Sequence, residues 1–263
     1  MVEFCSLFSS SSGNCEYLAA DGEGLLIDAG ASCKQILQAL EGVGASPQRI
    51  RGVLVTHEHI DHVKGLSVLC RKLHIPLYAN EPTARALNIP KLESLDVRVF
   101  SMERPFWVGE AEVHPFALSH DSAAPVGYRV EFPRQGVQVG VATDTGCVTQ
   151  EIRQGLQGCD ALLLEANHDR NMLMSGGYPY FLKRRILSQQ GHLCNDDCGE
   201  LAVQLVEQGA RHVVLGHLSR ENNLPEIAYL AVKQQLEKAG VRLEEDCTLQ
   251  VAPDAAPSRM IQL

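Results

Sequence analysis

Several absences narrow the field before any motif is read. No run of about 18 apolar residues occurs, so a membrane-spanning helix is not expected. The N-terminal stretch MVEFCSLFSSSSGNC lacks the basic start and apolar middle of a secretory signal, and the expected compartment is the cytoplasm. The nine cysteines, at 5, 15, 33, 70, 147, 159, 194, 198 and 247, are odd in number and form no C-x-x-C pair. That is a poor disulfide framework, and reduced thiols follow. An excess of positive charge is missing as well: the net charge is −9. This argues against a protein that coats nucleic acid, because nonspecific affinity comes mostly from neutralised phosphates. A local basic path remains compatible with it.

What is present is enough apolar material for a sizeable core, 45% of 263 residues, which sets disorder aside. Short β-type runs alternate with helical patterns. Segments 24–30, 52–57, 75–80, 126–132, 137–144, 160–167 and 211–217 each read as a largely buried strand ending in polar residues. Segments 33–44, 63–74, 196–210 and 226–240 read as helices, the last two closing at Gly as helix ends often do. This order predicts one α/β domain spanning 1–263 with no repeat and no linker. One excursion, 171–192, where Gly-Gly and Tyr-Pro interrupt periodicity, is expected to form a lid.

The stretch LVTHEHIDHVKG, residues 54–65, carries the chemistry. In extended geometry His57 and His59 project to the same side while Glu58 faces away, which is chelating spacing. Asp61 and His62 follow where the chain should turn into a helix near Val63, so an oxygen and a nitrogen aim at a second point nearby. Two metals fit this better than one. A zinc-protease helix needs histidines at i and i+4, and here position 61 is Asp and a strand precedes it. Two cations need more ligands than four, and other strand ends offer them: His120 in ALSHD, Asp144 in VATDTG and His217 in VVLGH. Asp144 can hold one cation on each oxygen, and so keep two about 3.5–4 Å apart, as two-metal hydrolysis requires.

The H-x-H-x-D-H run with its later His, Asp and His resembles the metallo-β-lactamase-fold hydrolases over nearly the whole chain. In detail it is similar to the YycJ/WalJ-type group, through SSGNC near the N-terminus, LEANHD, GHLCND and LGHLSRENN. The resemblance implies a four-layer αββα sandwich with the metals at the sheet edges. It also implies that His57, His59 and His120 hold one divalent ion, that Asp61, His62 and His217 hold the other, and that Asp144 bridges. Zinc, manganese and iron all suit such ligands. Ser10 and Cys194 depart from the family's usual Gly and Ser, which bears on loop detail and not on the metal centre.

A metal pair acidifies the water it holds, so the expected nucleophile is solvent, with Asp61 orienting it while ligating. A phosphodiester suits such a site, and its leaving alkoxide needs a proton. His192 in QQGHLCND, before a helix that Asn195 is expected to cap, is the candidate general acid; His168 in EANHD is a second. Glu165 can hydrogen-bond a ligating imidazole. Ser11, Ser12 and Asn14 offer hydroxyls and turn amides to a phosphate. Lys183, Arg184 and Arg185 lie in the expected lid and offer charge to a nucleic-acid backbone. The family resemblance implies a DNA exonuclease acting 5′ to 3′. A small-molecule hydrolase of the same fold, such as a cyclic phosphodiesterase or thioester hydrolase, is the alternative that the net acidity favours. A noncatalytic metal-binding module fits less well, since structural zinc sites are closed and fourfold. Neither a membrane partner nor an oligomeric state is indicated by the residues.

Overall fold

The computed structural model describes residues 1–263. The chain opens with a hairpin of β1 (Val2–Ser10) and β2 (Gly13–Ala20), which the strand pattern does not announce. Both strands are buried on both faces, so the polar alternation that marks a half-exposed strand is absent. A classical α/β succession follows: β3 (Glu23–Ile27), α1 (Cys33–Gly42), β4 (Ile50–Leu54), α2 (Ile60–Val63), α3 (Leu66–Leu73), β5 (Leu77–Asn80), α4 (Glu81–Ala86) and β6 (Val97–Phe100). Helix α1 starts where Ser32 and Gln35 form a reciprocal capping box. Strands β3 to β6 pair in parallel, with β2 antiparallel at their side.

An antiparallel meander of β7 (Phe106–Val108), β8 (Ala111–Ala117) and β9 (Val126–Phe132) begins the second half. Then come β10 (Val137–Ala142), α5 (Gln150–Leu156), β11 (Ala161–Glu165), α6 (Arg170–Ser175), α7 (Tyr180–Ile186), α8 (Asn195–Glu207), β12 (His212–Gly216), α9 (Pro225–Lys238), β13 (Thr248–Val251) and β14 (Ile261–Gln262). The two seven-stranded sheets run β14-β1-β2-β3-β4-β5-β6 and β13-β12-β11-β10-β9-β8-β7. The last strand therefore returns to close the first sheet's edge beside β1.

Apolar side chains fall into three separate layers. One lies between the first sheet and α1 and α3, around Ile36, Leu40, Leu66 and Leu69. The second lies between the sheets, around Phe4, Leu54, Tyr128 and Val214. The third joins the second sheet to α5, α8 and α9, around Ile152, Leu201 and Val232. Their sizes, 26, 23 and 22 buried residues, make no layer subsidiary, and the result is the four-layer αββα sandwich. No helix is long and apolar enough to cross a membrane.

The carboxyl ends of β3, β4, β10, β11 and β12 open onto one groove, the position at which open α/β sheets place their ligands. Residues 28–30 and the turn at Asp61 press together there. The Ala29 N–H donates to the His62 carbonyl (2.8 Å) and the Gly30 N–H to the Asn14 carbonyl (2.8 Å). A Cβ on Gly30 would overlap the Asp61 carbonyl oxygen. Gly30→Ala must therefore push the Asp61 turn away, and overpacking of this kind costs about 1–3 kcal/mol. Urea unfolding should show that loss; a variant as stable as the parent would mean that the contact is not tight.

Candidate metal centre

Strand β4 ends at Leu54, so His57 and His59 stand in the loop beyond it and not in the extended strand expected for them. They still converge, with His57 Nε2 3.0 Å from His59 Nδ1. His59 keeps extended backbone angles as the N-cap of α2, which begins at Ile60, three residues before the expected start. Asp61 and His62 thus come from one short helical turn. Glu58 turns away and accepts from the Ala123 N–H (2.8 Å).

Two triads result. His57, His59 and His120 bring ligand atoms within 4.8 Å of one another, and Asp61, His62 and His217 do the same. Asp144 stands between them. Its Oδ2 lies 3.2 Å from His62 Nε2, and its Oδ1 lies 3.5 Å from His217 Nε2 and 3.8 Å from His120 Nε2. Asp144 and His217 both hold left-handed backbone angles, φ 62° and 53°. Such strain in non-glycine residues concentrates at functional sites. Asp144 Oδ2 and His217 Nε2 are buried without any hydrogen-bond partner. Buried polar atoms are nearly always satisfied, so these two fit the ligands of a divalent cation pair.

Behind the triads, carboxylates and carbonyls fix the imidazoles, as the outer partners of metal ligands do. Asp28, left-handed at φ 61°, places Oδ2 2.7 Å from His62 Nδ1. The same carboxylate accepts from the Thr56 N–H (2.9 Å) and hydroxyl (2.7 Å). Glu165, fully buried, accepts on Oε1 from His192 Nδ1 (2.7 Å) and His217 Nδ1 (3.0 Å), and on Oε2 from the Thr145 N–H (2.8 Å). His120 Nδ1 donates to the Gly191 carbonyl (2.9 Å). Each such bond turns the other ring nitrogen toward the groove. Asp28 and Thr56 escaped the sequence reading; the signal was an aspartate closing the buried run GLLID.

Charge follows this wiring. Burial pulls the His57 imidazole well below its usual range, reinforced by His62. Burial also works against charge on Asp144, yet His217 and His62 outweigh it and hold that carboxyl well below the usual range. Glu165 is pulled down to about 2 against its burial, through His192 and the bond from His217. The carboxylates are thus ionised and ready to face cations.

The cavity over the triads measures about 240 Å³. Its walls include Ser11, Asn167 and Ser219 on one side and Tyr178, Leu182, Arg185 and Ile186 of the lid on the other, with His192 among them. The expected substrate contacts divide. Ser11 is exposed at the cavity, whereas Ser12 shares a hydrogen bond with Ser10 (2.9 Å) and takes another from Arg220 (2.9 Å). Asn14 is buried and ties the serine turn to the Asp61 and His62 turn. In the lid, Lys183 Nζ donates to the Met174 and Gly176 carbonyls (2.7 and 2.8 Å), and Arg185 clasps Asp121 (2.6 and 2.9 Å). Only Arg184 is left exposed and unpaired. His168 is 1% exposed and does not line the cavity; burial lowers it to about 4, and both ring nitrogens lack partners. His168 thus sits behind the cavity wall, outside its lining. Asn195 does not cap α8: Cys194 does, its Sγ accepting from the Asp197 N–H (3.4 Å), while the Asn195 amide pairs with Asn223.

Two facing sheets between helical layers, with His and Asp clusters at their carboxyl ends, define a metallohydrolase fold of the αββα class. The chain belongs to the beta-lactamase superfamily, whose domain matches residues 24–218. It is 39% identical over 249 residues to exodeoxyribonuclease YycJ of Bacillus anthracis, covering 93% of this chain and 92% of that one. It is 37% identical over 259 residues to exodeoxyribonuclease WalJ of Streptococcus pneumoniae, covering 97% and 96%. Among solved structures, the metallo-beta-lactamase fold protein YhfI of Bacillus subtilis superposes with a TM-score of 0.72 at 15% identity, covering 98% of each chain.

If Asp144 joins the two ion positions, Asp144→Asn should lower bound metal from about two ions per chain to one or fewer, as read by elemental analysis. Retention of both would remove Asp144 from the bridging position.

Proposed function

We propose that this enzyme is a metal-dependent exodeoxyribonuclease that removes nucleotides from DNA ends in the 5′-to-3′ direction, with two divalent ions of zinc, manganese or iron per chain. Hydrolysis rests on one observation above all: seven candidate ligating side chains from four separate segments converge on a cavity with orphaned buried ligand atoms at its floor. DNA as the substrate rests on the two exodeoxyribonuclease relatives, which align almost end to end. The narrow cavity beneath α7 also suits a chain end better than the middle of a duplex.

When bound, the ions supply an activated water and offset the charge of the phosphate. The remaining work belongs to the chain's own groups. Asp61, 3.6 Å from His217 Nε2 through its Oδ2, faces the cavity and orients the attacking water. His192 is the proton donor to the leaving oxygen. Glu165 fixes its Nδ1, so Nε2 is the atom free to give a proton. Ser11 and Ser219 offer hydroxyls on the rim opposite the lid. The protein is expected to work in the cytoplasm.

A second reading retains one specific support: with the net charge at −9 and two lid cations paired internally, a small phosphodiester fits the same cavity. Incubation of the metal-loaded enzyme with 5′-labelled duplex DNA beside a panel of small phosphodiesters separates them. Release of the label as mononucleotide at the outset supports the 5′-to-3′ exonuclease; cleavage of the small esters alone moves the assignment to the second reading.

His192→Ala should slow DNA cleavage by about 10²–10⁴-fold, the usual worth of a general acid. It should slow a p-nitrophenyl phosphodiester far less, because that leaving group needs no proton. Equal losses on both substrates would take the acid role away from His192.

A further inference from the structure

Helix α7 has two unlike faces. Leu182, Arg185 and Ile186 look inward and line the catalytic cavity. Tyr180, Phe181, Arg184 and Leu187 fall at the complementary i, i+3 and i+4 positions and look outward. Tyr180 and Phe181 are 72% and 74% exposed, more open than any other large apolar side chain, and Leu187 is 41% exposed. Looseness does not account for this. Lys183 bonds to the end of α6, Arg185 clasps Asp121, and Ile186 is buried, so three side chains pin the helix within one turn. Two adjacent rings are held in water on the outer face of the helix whose inner face walls the cavity.

The same tethers remove charge from the lid. With Lys183 and Arg185 engaged, Arg184 is the one free cation on α7. Phosphate attraction through this helix is therefore worth about one ion contact, whereas each exposed ring can carry a base.

We infer that Tyr180 and Phe181 form a stacking platform for two unpaired bases at the end of the DNA strand whose phosphodiester occupies the adjacent cavity. This rests on the nuclease reading and specifies how that substrate is held: by ring faces, with Arg184 as the single phosphate contact. The enzyme then favours frayed or overhanging ends over blunt ones. Continuity with the cavity selects this occupant, since the inner face of the same seven-residue helix already forms its wall.

The test measures binding of the metal-loaded full chain to a phosphorothioate-capped duplex with a four-nucleotide overhang, by fluorescence anisotropy across a salt series. An otherwise identical abasic overhang serves as the control. The wild-type protein should bind the base-bearing overhang at least about tenfold more tightly than the abasic one. The double variant Tyr180→Ala/Phe181→Ala should lose that difference while keeping the slope of log K against log salt. Phe181→Trp should restore most of it, and Arg184→Gln should reduce the slope by about 0.7, the single-strand value for one phosphate contact. Equal wild-type affinity for the two overhangs overturns the proposal, and this comparison needs no variant to fold. So does a wild-type dimer that the double variant converts to monomer, since the rings would then cover a second copy. Digestion of the uncapped duplex by the wild-type enzyme reports on the nuclease reading separately.

Discussion

Everything around the groove answers to the burial of carboxyl groups. Asp28, Asp144 and Glu165 are each at most 3% exposed, and taking a carboxylate out of water costs several kcal/mol even after relaxation. A histidine stands against each one: His62 on Asp28, His62 and His217 near Asp144, His192 and His217 on Glu165. Loss of one member of such a set leaves a charge without its partner, which is worth more than the pair itself contributes. This explains why the left-handed backbone at Asp28, Asp144 and His217 is tolerated. Local strain of about 1–3 kcal/mol per residue is smaller than the cost of leaving those carboxylates unpaired.

That constraint also accounts for the number of layers. The charged set sits at the carboxyl ends of strands from both sheets, so the sheets must be held face to face with their ends in register. The inter-sheet layer around Tyr128 does this, and the Tyr128 hydroxyl reaches across to donate to the Val55 carbonyl (2.6 Å), two residues before His57. Ser9 at the end of β1 takes the His217 N–H (2.8 Å) from the far sheet. The hairpin that opens the chain is thus part of the floor of the site and not merely an edge.

Legibility in the sequence tracks how local each feature is. His57, His59, Asp61 and His62 are written within six residues, and His120, Asp144 and His217 each close a strand or follow one, so pattern alone gathers them. Asp28 could not be gathered the same way, because its role depends on His62, 34 positions later, which packing brings to 2.7 Å. Strands β1 and β2 were hidden because burial on both faces removes the alternation that marks a strand. The lid cations misled for the opposite reason: a basic run looks available in sequence, and only three-dimensional contacts show Lys183 capping α6 and Arg185 held by Asp121. His168 sits in the same motif as functional neighbours, and nothing in its spacing reveals that its ring turns inward.

The lid is not an independent appendage. Arg185 holds Asp121, the residue next to His120, and His120 in turn donates to the Gly191 carbonyl at the lid's C-terminal end. The C-terminal part of 171–192 is therefore fastened to His120 through Gly191 and to its neighbour Asp121 through Arg185, and His192 follows directly on that fastening. A shift of α7 on binding substrate would be felt at His120 and His192 together. The lid and the two histidines are thus wired together through two hydrogen-bonded contacts. On the proposed nuclease reading, loosening Arg185 from Asp121 would disturb the chemistry first and the binding of DNA second, whereas removing the outward rings would do the reverse.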